Sequence, residues 1–171
     1  MTKIILKDVR LSFASLFRKA TFGGEETKYE GTFLIDKVKQ ADQIKNIVDA
    51  IEAMQSGKKS KLSPDKICLK DGDFIDYDGY SGTMSIKASN GKRPMILDKD
   101  RTALAEDDGK PYSGCYVNAV LNLWFQDNSF GKRINASLTG VQFAKDGAPF
   151  GENSSSASVD DFSDLEEVDF T

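Results

Sequence analysis

The chain has 171 residues, of which 23 are Lys or Arg and 27 are Asp or Glu, so its formal charge is −4, and it contains no histidine. That length suits one domain with a real core and a short appendage, and the missing histidine excludes a Ser-His-Asp triad, a Cys-His pair and a His-ligated metal. The two cysteines, Cys68 and Cys115, form no CxxC motif, no apolar run approaches a membrane span, and MTKIILKDVR carries no signal-peptide pattern, so the expectation is a soluble protein of a reducing cytoplasm with no membrane partner.

Residues 3–13, KIILKDVRLSF, are rich in β-branched and aromatic types and read as a strand. Strict alternation puts Ile5, Val9, Leu11 and Phe13 on one face. Residues 15–27 carry Gly23 and Gly24 and read as a loop. KYEGTFLI (28–35) is the next strand, with Tyr29, Gly31, Phe33 and Ile35 on one side. In 39–55 the apolar residues Ile44, Ile47, Val48, Ile51 and Met54 make one helical stripe, with Asp36 or Asp42 as candidate cap and Gly57 as the stop.

KKSKLSPDK (58–66) is a basic loop broken by Pro64, and the Asp- and Gly-dense 71–82 is turn chemistry. In 83–89 Met84, Ile86 and Ala88 face in. NGKRP (90–94) is a turn and 95–97 a short strand. The longest candidate is 114–126, whose inner face reads Cys115, Val117, Ala119, Leu121, Leu123 and Phe125. A hairpin at 127–132 leads into the returning strand 133–143. The body is therefore mainly β with one internal helix, which fits a small barrel of the oligonucleotide-binding (OB) type.

The chain ends differently from how it begins. GENSSSAS (151–158) has linker composition. Residues 152–171 hold seven acids and no Lys or Arg, leaving 23 basic and 20 acidic residues in 1–151. The division expected is a domain over 1–151 and a flexible acidic tail over 152–171. In the tail Asp160, Asp161, Asp164, Glu166, Glu167 and Asp169 are interleaved with Phe162 and Phe170. A disordered solubilising end is one reading. The other is an interaction tail whose apolar anchors dock on a partner or on the body's own basic groove.

The chemistry-bearing candidates point to binding. Acids at 71, 73, 76 and 78 fail the EF-hand spacing because Ile75 stands at its fifth position, and no Walker A or GxGxxG pattern occurs. No base or ligand set supports an enzyme, and no metal or cofactor is expected. The outward face of the long strand offers Tyr116, Asn118, Asn122 and Trp124, followed by Lys132 and Arg133. Aromatic faces stack unpaired bases and cations meet phosphates; the same rings could instead form a second small core under a loop. Further ring-and-base pairs are Phe17 with Arg18 and Lys19, Lys28 with Tyr29, Tyr80 near Lys87, and Lys92 with Arg93. No recognition helix is evident, which argues against reading a duplex.

LKDVRLSFASLF (6–17), KYEGTFLIDK (28–37), LKDGDFIDYDGYSG (69–82) and 111–151, together with the acidic tail, resemble the phage and prophage single-stranded-DNA-binding (SSB) proteins with an OB fold. The resemblance implies a non-enzymatic protein that coats ssDNA in phage DNA replication or recombination inside the host bacterium. It also implies a tail that recruits replication enzymes; from its charge, the tail is further expected to compete with DNA for the groove, and a homo-oligomer is left open. The rival reading is an OB-like adaptor that binds protein and not nucleic acid.

Overall fold

Five long strands carry the architecture: β1 (Thr2–Ser15), β4 (Tyr29–Asp36), β6 (Thr83–Asn90), β8 (Tyr116–Asn128) and β9 (Gly131–Lys145), with the small hairpin β2 (Thr21–Phe22) and β3 (Glu25–Glu26) between the first two. Two short strands, β5 (Leu69–Asp71) and β7 (Met95–Leu97), and one helix, α1 (Ala41–Gln55), complete the fold. The structure, a computed structural model, describes residues 1–58 and 61–150. All the acidic-tail residues named above lie outside that range.

The sheet runs β5-β6-β4-β1-β8-β9-β7, and β6 also meets β9 through Ser89 and Ser137. That contact closes β1, β4, β6, β9 and β8 into a five-strand barrel with one helix, the expected OB fold. The gap between β6 and β9 is filled by 67–71. Ile67 bridges to Ile134, the Cys68 N–H donates to the Ile134 carbonyl at 3.0 Å, and β5 pairs with β6.

The β8 alternation is realised in full: Cys115, Val117, Ala119, Leu121 and Leu123 are buried, and Phe125 packs against the same core. Phe33, Ile35, Ile86 and Ala88 meet them from β4 and β6, while Ile47 and Ile51 of α1 cap the barrel, with Ile44, Val48 and Met54 packed beside them. Each fully buried Leu, Ile or Phe of this set contributes about 1.5–3 kcal/mol of burial.

Three local expectations are corrected. First, β1 does not alternate strictly. Its register against β8 shifts between Leu6 and Val9, and against β4 between Ser12 and Ser15. Asp8 and Phe13 adopt positive φ at these bulges (54° and 48°). An extra residue flips every side chain beyond it, so Ile4 and Leu6 are buried while Ile5 and Phe13 are exposed. Second, neither Asp36 nor Asp42 caps α1. The N-cap is Gln40, with no side-chain cap bond, and Asp36 accepts from the N–H groups of Val38 and Lys39 in the preceding turn. Gln40 and Gln43 instead reach the first bulge, donating to the carbonyls of Lys7 and Asp8. Third, 15–27 contains the β2–β3 hairpin, turning at Gly23 and Gly24, and is not wholly loop.

Candidate nucleic-acid interface

The outer face of β1, β4 and β6 is unusually small and polar. Register places Ser12 opposite Thr32 and Thr32 opposite Lys87, with Leu34 opposite Ser85 one row along. Ser12, Thr32 and Ser85 are buried beneath a groove of about 720 Å³ that spans these strands and reaches β9. Their short side chains keep the floor low. Larger groups rise at the rim.

One wall is aromatic. Phe13 meets Tyr77 edge-on with ring centroids 5.0 Å apart, and Tyr77 meets Tyr80 in the same way at 5.5 Å. Tyr77 is 59% exposed and Phe13 40%, whereas Tyr80 is 3% exposed and its hydroxyl donates to Ser12 Oγ at 2.9 Å. Two rings thus offer free faces and the third anchors them to the floor. Tyr77 and Tyr80 belong to the loop 72–82, which Lys37 ties down through Asp71 and Asp73, both at 2.7 Å. Hydrogen bonds to Asp71 and Asp73 raise the Lys37 pKa above its ordinary value. The Lys37 ammonium is the main cause holding the Asp71 carboxyl below the usual carboxylate value, and at Asp73 the Gly82 N–H acts first and Lys37 second.

The other walls carry four cations, Lys66, Lys70, Lys87 and Arg133, together with the acidic residues Glu30 and Asp65. Lys87 pairs with Glu30 at 2.9 Å, and Arg133 donates to the Asp65 carbonyl at 3.4 Å. Cys68 also lines it, and burial pushes its thiol up to about 11. The arrangement can hold a chain of alternating planar and anionic groups. No cluster of His, Cys, Asp and Glu fit for a metal occurs among the described residues.

The residues singled out from sequence distribute over three places. Tyr80, Lys87 and Arg133 line the groove. Phe17, Arg18, Lys19, Tyr29 and Arg93 gather beside it. Arg93 lies over the Phe17 ring at 5.0 Å and Lys19 near the Tyr29 ring at 6.0 Å, while Arg18 is engaged by Glu106 at 2.8 Å. A smaller hollow lined by Phe17, Arg18 and Lys19 shares Ala14 and Ser15 with the groove and so adjoins it. Lys28 precedes Tyr29 and Lys92 precedes Arg93 on exposed ground.

The outward face of β8 does not act as one unit. Tyr116 and Trp124 are eight residues apart, about 26 Å along a strand. Tyr116 sits under Lys145 and Arg10, at 4.9 and 5.9 Å. Asn118 is spent on structure: its Oδ1 accepts from Asp8 N–H at the first bulge and its amide donates to Gln142. Trp124 and Asn122 pair across to Asn135 and Ser137 of β9, and Asn135 lines the groove. That end of β8 therefore adjoins the groove and the Tyr116 end does not. Lys132 is exposed in the β8–β9 hairpin.

Phe13, Tyr77, Lys66, Lys70 and Asn135 are the groove residues that the sequence reading missed. Tyr77 lies in an Asp/Gly turn without periodicity, and Phe13 follows the apolar pattern of a core residue until the bulges are known.

The chain is thus a five-strand barrel of the OB class with a ring-walled groove on its outer face. The chain belongs to the family of the Enterobacter phage Enc34 ssDNA-binding protein, whose model matches residues 2–171. It is 40% identical over 174 residues to a putative protein p50 of Acyrthosiphon pisum secondary endosymbiont phage 1, covering 95% of this chain and 94% of that one. Among solved structures it resembles the bacteriophage Enc34 single-stranded DNA-binding protein in complex with ssDNA, with a TM-score of 0.78 and 34% identity over 87% of this chain and 89% of that one. A further structure of the Enc34 protein matches with a TM-score of 0.75 and 32% identity over 93% of this chain and 88% of that one.

Proposed function

We propose that this chain is a non-enzymatic, largely sequence-independent ssDNA-binding protein. It would serve phage DNA replication or recombination in the host cytoplasm. The observation that carries the reading is the groove itself. Phe13 and Tyr77 present free ring faces beside Lys66, Lys70, Lys87 and Arg133 over a hydroxyl floor. Ring faces accept any base and cations accept any phosphate, so the pairing gives affinity without a sequence code. Support from relatives is direct, since the Enc34 protein is described in complex with ssDNA. The expected strand path runs over the groove, with the Phe17–Arg93 cluster and the Trp124 end of β8 as its continuations. Tyr116 and Asn118 are not on that path.

The acidic tail is part of the proposal. Residues 152–171 carry seven acids and no base, and the described body ends at Phe150, which packs on Tyr80. A polyanion tethered there competes with DNA for the cations and, when displaced, presents Phe162 and Phe170 to replication or recombination proteins.

A fluorescent thymidine homopolymer titrated into the full chain tests the reading. Saturable binding that weakens as salt rises is expected. Absence of binding in dilute buffer, both with the tail and with 152–171 removed, would refute it and leave the protein-binding adaptor.

A further inference from the structure

The last described residues do not trail off the barrel. The Phe150 ring is 7% exposed and forms a small second core with Leu34 and Tyr80, flanked by Ile75. Arg10 closes the cluster from above, its guanidinium 3.9 Å from the Phe150 ring centroid. The same guanidinium donates to the carbonyls of Gly114 and Ala148, at 3.1 and 2.7 Å, and the Phe150 N–H donates to the Ser113 carbonyl. Beside Arg10 the ring edge presses on Gly79, where φ is +83° and a Cβ would collide with the ring. Three segments, β1, β4 and the loop 72–82, therefore converge on one side chain that lies outside the groove.

We propose that Phe150 is a positioning residue for the groove, bracing the loop 72–82 so that Tyr80, and through it Tyr77, stands at the height a stacked base needs. The inference rests on reading the groove as the ssDNA site. Tyr80 contributes little free face itself. Its ring is held between Phe150 and Leu34 below and Tyr77 above, with its hydroxyl fixed to Ser12. Without Phe150 the cavity under Tyr80 collapses or fills with water, and the loop loses its support. Gly79 belongs to the same device. Any side chain there both strains the backbone and expels the ring. The barrel core is a separate cluster and does not include Phe150, so the barrel is expected to survive the loss. The described body thus ends at Phe150, directly behind the aromatic wall.

The test is a double-mutant cycle in the full chain, with hydrogen exchange as a second readout. Phe150→Ala is expected to weaken thymidine-homopolymer binding about fivefold or more, the lower end of one lost stacking contact, and to speed amide exchange in 72–82 but not in β8. Phe150→Leu, which keeps an apolar plug, should recover much of the binding. Combined with Tyr77→Ala, the Phe150→Ala loss should largely vanish, because both act through one ring. Combined with Arg133→Ala it should add. Unchanged exchange in 72–82, or full additivity with Tyr77→Ala, would overturn the brace. If the unsubstituted chain binds no ssDNA, the functional reading fails, and the exchange comparison alone decides whether Phe150 holds the loop.

Discussion

Tyr77 stands between Phe13 and Tyr80, and its two neighbours are held in different ways. Tyr80 is buried and hydrogen-bonded, whereas Phe13 sits at a bulge with φ of 48°, 40% exposed. A left-handed backbone costs a non-glycine residue about 1–2 kcal/mol, and exposure of the ring recovers none of it. Such strain at an exposed ring points to use by a ligand. Tyr77→Ala is expected to cost about 1–3 kcal/mol of ssDNA affinity. Phe13→Gly should hold or raise the melting temperature while weakening binding, as thermal unfolding and titration together would show. Trp124→Ala should weaken binding more than Trp124→Phe, since a ring at the margin of the groove matters through its face. Cys68 offers a probe of occupancy. Its thiol, pushed up to about 11 by burial, remains protonated at neutral pH, so alkylation should be slow and should slow further when oligonucleotide fills the groove. Labelling indifferent to saturating oligonucleotide would argue that the strand lies elsewhere.

At the scale of elements, the loop 72–82 depends on the Lys37 clamp as well as on Phe150. Asp71 and Asp73 titrate below the ordinary carboxylate value of 3.8 in the folded chain. The unfolded chain therefore takes up protons first. Their contribution is fully present above the unfolded value and is lost as pH falls through the lower folded values. Acid titration of the unsubstituted protein should show loosening of 72–82 in that window by exchange. Lys37→Met, which removes the partner, should flatten that response. Legibility from sequence divided along similar lines. The faces of β8 and the stripe of α1 were readable because burial on one side is continuous there, so period alone locates the core. β1 was readable as a strand but its faces were not, because the bulge at Asp8 is met by Gln40, Gln43 and Asn118, and the residue after Phe13 by Ser113, all arriving from distant elements. Tyr77 and Phe150 escaped for a related reason: each sits in an aperiodic segment and gains its role from packing across the fold. The basic residues of the groove were found in part, Lys87 and Arg133 but not Lys66 and Lys70, since surface cations carry no pattern that says which way a groove will face.

For the whole molecule, charge is divided between a body with 23 basic and 20 acidic residues and a terminal segment with seven acids. Four groove cations contacting phosphates predict a slope of about −3 in log affinity against log salt, at roughly 0.7 released counterions per contact on a single strand. Deletion of 152–171 should tighten binding at low salt, and the gain should fade as screening shortens the reach of the tail's charge. Equal affinity of the two forms in dilute buffer would remove autoinhibition from the account. In the proposed complex the strand runs over the groove. Photocrosslinking of a halogenated-uridine oligonucleotide to the full chain, with the adducts mapped by mass spectrometry, tests it most directly. Adducts at Tyr77 and Phe13 are predicted; adducts confined to the Tyr116 end of β8 would contradict it.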